Sequence, residues 1–220
     1  MSKVPALLAI VVVTLFPPLA TGQTLNSQEH SFRVIKVVEG LEHPWGLAFL
    51  PDGRMLVTER PGRLRIVGRD GKLDPQAISG LPQIAVHGQG GLMDVALHPR
   101  FAENNLVYLS YAARGDGGVG TEVARGRLTG SRLENVDVVF RQQPKGSSGR
   151  HFGSRLVFDR DGFLYTTLGD RGEMERAQKS DDHAGSVIRL HDDGRVPKDN
   201  PFVGKPGWKS EKYTLGNRNI

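Results

Sequence analysis

An internal repeat constrains the fold of this chain more than any other feature. The segment from Gly46 to Thr58, GLAFLPDGRMLVT, matches the segment from Arg155 to Thr167, RLVFDRDGFLYTT, in its pattern of residue types. Each reads as an apolar strand, an Asp-Gly turn and a second strand that ends in a hydroxyl residue. A looser copy runs from Asp94 to Tyr111. Short strands joined by tight turns predict antiparallel meanders.

Apolar and polar residues alternate with a period of two along much of the chain, which extends this prediction. No long stretch shows the 3.6-residue period of an amphipathic helix. The sequence therefore predicts an all-β fold. The predicted strands are Arg33–Val38, Gly46–Phe49, Met55–Glu59, Arg63–Val67, Leu92–Leu97, Leu106–Ala112, Glu122–Leu128, Val136–Arg141, Arg155–Phe158, Leu164–Leu168, Val187–His191 and Lys212–Leu215.

The length of the repeat indicates a β-propeller. Each unit takes roughly sixty residues, which suits a four-stranded blade, so we predict about three blades. A β-sandwich, which also has many short strands, is the alternative. Since propellers have about four to eight blades, we expect residues 23–220 to be the N-terminal half of a longer propeller domain. Gly216–Ile220 would then lead into a further inner strand.

The N-terminal segment has the pattern of a secretory signal peptide. Lys3 provides a positive charge, residues 6–16 are almost entirely apolar, and residues 20–22 offer small side chains for cleavage before Gln23. The apolar run is about half the length needed to span a bilayer. We therefore predict a signal peptide at residues 1–22 and a periplasmic or secreted mature protein without a membrane span. An uncleaved anchor is the alternative.

Composition narrows the function classes. The sequence has no cysteine, which excludes disulfides, thiolate metal sites and cysteine nucleophiles. The formal net charge is +5, and the basic residues are interspersed with acidic ones. A nucleic-acid-binding chain is typically more basic and its positive charges are clustered. Nucleic acid is therefore not an expected partner.

Polar residues precede two predicted inner strands of neighbouring repeat units. His87 and Gln89 lie in the loop HGQGG, and His151 lies in the loop GRHFG. In a propeller, segments that enter inner strands line one mouth of the central channel, so these side chains would converge there. His151 is a candidate general base, because its unperturbed pKa is near neutral pH. A glycine loop that needs positive φ angles and an exposed histidine are the structural alternatives.

Two further clusters are predicted at the same mouth. Asp170 closes the strand after that of His151, so its carboxylate could orient the imidazole. Arg218 and Asn219 precede the next predicted inner strand, and a guanidinium matches carboxylates in bidentate geometry. A turn aspartate and a surface turn are the structural alternatives.

These clusters, in this order, resemble the soluble PQQ-dependent aldose sugar dehydrogenases of the glucose/sorbosone dehydrogenase family. The resemblance covers essentially the whole chain after residue 22, and the combination of motifs is more specific than any single one. The matching segments are LEHPWGLAFLPDG (41–53), LVTERPGRL (56–64), HGQGG (87–91), TLGDRG (167–172), VPKDNPF (196–202) and YTLGNRN (213–219).

The resemblance implies a six-bladed propeller that binds pyrroloquinoline quinone (PQQ) and Ca²⁺, with the Ca²⁺ ligands in later blades. It implies that Gln89 contacts the cofactor and that Arg218 and Asn219 hold its quinone oxygens and carboxylates. His151, oriented by Asp170, would remove the hydroxyl proton at the anomeric carbon of an aldose while hydride passes to the quinone. The products would be a lactone and reduced cofactor, which an external electron acceptor reoxidises. A homodimer is an assembly compatible with this resemblance.

The sequence departs from the family pattern at two places. Arg150 precedes His151, where some members have an acidic or amide residue. Glu173 and Glu175 follow the LGDRG motif, where a glutamine can contact the cofactor. Since a carboxylate beside a tri-anionic cofactor would weaken binding, we expect Glu175 to point elsewhere.

Two other readings compete with the dehydrogenase. A non-catalytic secreted propeller could use the same loops to bind a carbohydrate or a protein. A lactonase-type hydrolase would need several carboxylates on inner strands, and only Asp94 and Asp170 are candidates. Because later blades and half of the cofactor site would lie outside these 220 residues, we expect this chain alone to be inactive.

Overall fold

The computed structural model describes residues 23–220. These residues divide into two units, 23–37 and Val38–Ile220. The described part of the first unit is an exposed antiparallel hairpin of β1 (Gln23–Asn26) and β2 (Ser31–Val34). The strand predicted over Arg33–Val38 is thus shifted, because pairing with β1 ends at Val34. The predicted signal peptide lies outside the described residues.

The second unit contains three antiparallel sheets that follow one another along the chain, each with its strands in sequence order. The first sheet comprises β3 (Pro44–Phe49), β4 (Met55–Glu59) and β5 (Arg63–Val67). The second comprises β6 (Leu92–Leu97), β7 (Leu106–Gly115), β8 (Gly118–Thr129) and β9 (Arg132–Arg141). The third comprises β10 (Leu156–Phe158), β11 (Leu164–Thr167), β12 (Val187–Leu190) and β13 (Lys212–Thr214).

The prediction of an all-β fold is confirmed. Three successive meanders are consistent with a β-propeller-like arrangement. The two helices of the described residues are short: α1 (Phe101–Asn104) lies between β6 and β7, and a 3₁₀ helix (Met174–Gln178) lies between β11 and β12. Neither is long and apolar enough to cross a membrane.

The second sheet is packed on both faces. Leu109 of β7 contributes to a core shared with the first sheet, which includes Leu56 and Leu64. Its neighbour Tyr108 contributes to a core shared with the third sheet, which includes Leu164. Since successive side chains of a strand point to opposite faces, one strand serves two cores. All five side chains are at most 1% exposed.

The hydroxyl residue of the sequence repeat has a structural role in each of the three sheets of the second unit. It lies on the second strand, accepts a hydrogen bond from a backbone N–H at or near the start of the first strand, and donates one to a backbone carbonyl of a later segment. The three sets are Thr58 with Gly46 N and Met93 O, Ser110 with Asp94 N and Ser154 O, and Thr167 with Arg155 N and Ile220 O. Each hydroxyl therefore fastens its own hairpin to a later segment, which for Thr58 and Ser110 is the start of the next sheet.

Candidate functional site

The four predicted clusters meet at one end of the three sheets, where direct hydrogen bonds join them. Gln89 N donates to Gly149 O at 2.7 Å. Asp170 N donates to Arg218 O at 2.8 Å. These bonds link the loop before β6 to the loop before β10, and the end of β11 to the segment after β13.

The centre of the site is a histidine–carboxylate pair. His151 Nδ1 lies 2.7 Å from Asp170 Oδ1, and the side chains are 14% and 3% exposed. Asp170 Oδ1 also accepts a hydrogen bond from Gly172 N at 2.6 Å, which fixes the carboxylate. Because an ionised carboxylate only accepts hydrogen bonds, Nδ1 carries the hydrogen in the neutral form of the ring, and Nε2 then has the lone pair. Within residues 23–220, no group hydrogen-bonds Nε2.

Glycines allow the two loops of this pair to approach each other. A Cβ at Gly169 would lie 2.1 Å from His151 O, and one at Gly153 would lie 2.8 Å from Leu168 Cα. His151 itself has φ +54°, a conformation that L-residues adopt at some cost. The turn around His151 and the LGDRG motif are thus fitted to each other at backbone level.

The glycines of the HGQGG loop serve the same purpose. A Cβ at Gly88, whose φ is +57°, would lie 2.1 Å from Gly149 O, and one at Gly90 would lie 2.5 Å from the Phe152 ring. These glycines therefore admit the backbone and an aromatic side chain of the neighbouring loop of the protein itself. His87 reinforces the contact, since its Nε2 lies 2.8 Å from Ser147 O.

Gln89 and Asn219 hold the two sides of the His151 turn. Gln89 Oε1 accepts a hydrogen bond from His151 N at 2.9 Å, and Asn219 Oδ1 accepts one from Gly153 N at 3.0 Å. The side-chain carbonyl of each amide therefore accepts a hydrogen bond from the protein, whereas no described residue accepts one from its NH₂ group. Both residues are exposed. The exposed Arg218 side chain adds a guanidinium that no described residue pairs with.

Arg171 is a residue of this site whose role the sequence did not reveal. Its side chain is fully buried, its guanidinium carbon lies 3.5 Å from the centroid of the Phe152 ring, and Nη2 donates to Ser148 O. Burial lowers its pKa to about 10. The LGDRG motif places Arg171 beside Asp170, but the motif alone does not show that the side chain turns inward.

The acidic residues outside the pair have structural partners or remain exposed. Asp94 Oδ2 accepts a hydrogen bond from Leu156 N at 2.9 Å, and Oδ1 accepts one from Val95 N at 3.0 Å; burial raises the pKa of this carboxyl. Glu173 lies 3.6 Å from Arg176, and Glu175 is exposed. Among the described residues, no group of three or more His, Asp and Glu side chains could hold a metal ion.

Sequence comparison decides the family. Residues 41–220 match the family described as Glucose / Sorbosone dehydrogenase. This chain belongs to the glucose/sorbosone dehydrogenase family.

Individual members of the family show the same likeness. Aldose sugar dehydrogenase YliI of Escherichia coli is 43% identical over 209 residues, which cover 93% of this chain and 56% of that protein. A crystal structure of a glucose dehydrogenase superposes with a TM-score of 0.79 at 50% identity, covering 82% of this chain and 53% of the other. The PQQ-bound aldose sugar dehydrogenase of Streptomyces coelicolor superposes with a TM-score of 0.72 at 30% identity, covering 92% and 57%. The chain spans about half the length of these relatives.

The exposed groups of this glucose/sorbosone dehydrogenase chain fit part of a binding site for PQQ. PQQ is planar and carries three carboxylates and quinone oxygens, all of them acceptors. The Arg218 guanidinium and the NH₂ groups of Gln89 and Asn219 are donors that the described protein leaves available. Because a guanidinium pairs with carboxylates in a bidentate manner, this donor set has the chemistry that such a ligand requires.

Proposed function

We propose that the protein oxidises aldose sugars at the anomeric carbon to lactones, with PQQ as the hydride acceptor, and that this chain supplies the general base and part of the cofactor site. One observation carries the proposal: a half-buried histidine, held by a buried carboxylate, lies between donor side chains suited to an anionic cofactor. Family membership and the PQQ-bound relative support the same reaction class.

His151 acts as the base in this proposal. Nε2 accepts the proton of the sugar's C1 hydroxyl, and the Asp170 carboxylate stabilises the imidazolium that forms. Because the carboxylate is fixed by Gly172 N, the ring keeps its orientation when it becomes charged. When bound, PQQ supplies the quinone that accepts the hydride from C1. His151 then releases the proton to solvent, which returns the imidazole to its neutral form for the next turnover.

The cofactor contacts are assigned to three side chains. Arg218 would pair with a carboxylate or quinone oxygen, and Gln89 and Asn219 would donate through their NH₂ groups. Glu173 lies 3.6 Å from Arg176, so its charge is partly balanced within the protein. Ca²⁺ belongs to the same proposal, with ligands expected outside the described residues.

We extend the proposal to the architecture and location. The three sheets are taken as three blades of a six-bladed propeller, since each carries the same hydroxyl tie and the chain spans about half the length of its relatives. Residues 1–22 are taken as a signal peptide that directs the protein to the periplasm or outside the cell.

Titration of the full-length apoprotein with PQQ tests the cofactor assignment. We expect Arg218→Gln to raise the Kd for PQQ about 10- to 100-fold, the range for losing a charged hydrogen bond. Arg218→Lys keeps the charge but not the bidentate fork, so it should be intermediate. Arg160→Gln, at an exposed turn position, is the matched control. Equal affinity in the Arg218 and Arg160 variants would remove Arg218 from the cofactor site.

A further inference from the structure

Arg171 is buried in a way that the fold does not require. Its side chain has no exposed surface, and no carboxylate within residues 23–220 forms an ion pair with it. Its Nε and Nη1 atoms are buried, and no group of the described part of the chain hydrogen-bonds them. Removing a charge from water without a counter-ion destabilises a folded protein strongly. A neutral apolar side chain of similar size would avoid this cost, so the guanidinium needs an explanation other than packing.

The contacts of Arg171 point to that explanation. The guanidinium stacks on the ring of Phe152, the residue after His151, with 3.5 Å between the guanidinium carbon and the ring centroid. Nη2 donates to the carbonyl of Ser148, three residues before His151. Its neighbour Asp170 hydrogen-bonds the imidazole at 2.7 Å. Arg171 therefore contacts the His151 loop on both sides of the histidine, while Asp170 hydrogen-bonds the imidazole.

We propose that Arg171 is a positioning residue: its guanidinium clamps Ser148 and Phe152, so that the strained turn presents His151 Nδ1 to Asp170 and Nε2 to the substrate. The positive φ of His151 gives such a clamp a role, because the turn is not the conformation that a free histidine prefers and must be held by its contacts. The consequence for catalysis rests on the proposed function, in which His151 is the base. The consequence for the geometry of the His151–Asp170 pair does not.

Arginine suits this role better than lysine or methionine. Its planar guanidinium can lie flat on the Phe152 ring and still donate to Ser148 O in the plane, whereas an ammonium group offers no plane to stack. Methionine has the length to fill the space and can contact the ring, but it has no donor for Ser148 O.

The test combines a spectroscopic signature with kinetics in the full-length protein. The Nδ1–H proton of His151, shared with Asp170, should give a downfield proton resonance in ¹⁵N-histidine-labelled apoprotein, assigned by its loss in His151→Asn. Arg189→Met is the matched control, because Arg189 is also a buried arginine stacked on a phenylalanine, 3.9 Å from the Phe163 ring, but its side chain pairs with Asp199 and Asn200.

We expect Arg171→Met to abolish the resonance or speed its exchange with solvent, and to lower kcat about 100-fold, the effect of an ångström-scale misplacement. Arg189→Met should keep the resonance and kcat even where it lowers Tm. If Arg171→Met does not fold, Arg171→Lys and Phe152→Leu replace it, and their effects should be non-additive because they break one contact. A resonance that persists in the Arg171 variants as in Arg189→Met would overturn the proposal. Absence of PQQ-dependent turnover in the wild type would instead overturn the proposed function and leave the resonance test in force.

Discussion

The side-chain carbonyl of Gln89 accepts a hydrogen bond from the backbone amide of His151 at 2.9 Å. Gln89 therefore has two roles in our account. Its oxygen fixes the histidine turn from the loop before β6, and its NH₂ group remains for the cofactor. Asn219 repeats the arrangement on the other side through Gly153 N. The proposed base is thus braced by the same side chains that are proposed to contact the cofactor.

Replacing Gln89 by glutamate separates these two roles. A glutamate oxygen can still accept from His151 N, but it has no donor and adds a negative charge beside an anionic cofactor. We expect the Kd for PQQ to rise at least about tenfold, the effect of roughly 1.4 kcal/mol, with kcat at saturating PQQ changed much less. Gln83→Glu, at an exposed position earlier in the same segment, controls for the added charge. Wild-type PQQ affinity in Gln89→Glu would exclude a cofactor contact by this NH₂ group.

The hydrogen bonds of the Thr58 hydroxyl, which form the hydroxyl tie of the first sheet, can be tested by comparing Thr58 with a second buried threonine. Thr58 and Thr166 are both fully buried, but Thr58 Oγ1 bonds Gly46 N and Met93 O, whereas Thr166 Oγ1 has no partner among residues 23–220. We expect Thr58→Val to lower the free energy of unfolding by about 1–3 kcal/mol, because it leaves buried backbone groups unsatisfied. Thr166→Val should be neutral or stabilising. Equal effects in denaturant unfolding would show that the tie does not stabilise the fold.

His183 should make stability depend on pH. It is buried, its Nδ1 accepts a hydrogen bond from Gln143 N at 2.8 Å, and Nε2 lies 2.7 Å from Glu211 Oε1. Burial lowers its pKa most, Lys209 and Lys212 lower it further, and Glu211 opposes them. The unfolded chain therefore binds a proton at His183 more readily than the folded chain does. The contribution of His183 to the free energy of unfolding is present above the unfolded pKa of about 6.5 and is lost as pH falls below it, by at most about 1.4 kcal/mol per pH unit.

Unfolding curves between pH 5 and 8 measure this dependence. We expect His183→Gln to flatten the decline below about pH 6.5, whatever its effect on stability at neutral pH. His30→Gln, at an exposed position, should leave the slope unchanged. A slope in His183→Gln equal to that of the wild type would mean that the proton uptake occurs elsewhere.

The strands were predictable where the apolar period and a turn signal coincide. β4, β5 and β6 have the predicted bounds of Met55–Glu59, Arg63–Val67 and Leu92–Leu97. β7 and β8 extend beyond prediction to Gly115 and from Gly118, because a glycine-rich stretch that reads as a loop still pairs in register. Tertiary pairing there overrides the weak strand preference of glycine.

The grouping of His151, Asp170, Gln89, Arg218 and Asn219 was also predictable, since strand ends of neighbouring sheets meet at one mouth. The orientation of individual side chains was not. Sequence spacing does not show that the side-chain carbonyl of Gln89 accepts a hydrogen bond from His151 N, or that the Arg171 side chain packs on Phe152. Such contacts depend on positive φ angles and on loop packing, and no repeating pattern of residue types indicates either of them.

The most direct test of the central claim is PQQ-dependent reduction of a redox dye by aldoses, with Ca²⁺ present, in the full-length protein and two matched variants. His151 and His43 both have positive φ, +54° and +47°, which asparagine tolerates, so His151→Asn and His43→Asn perturb the backbone alike. We expect lactone formation that needs PQQ, a fall in kcat of about 10²- to 10⁴-fold in His151→Asn, and wild-type turnover in His43→Asn. Turnover without PQQ, or an unchanged kcat in His151→Asn, would contradict the account.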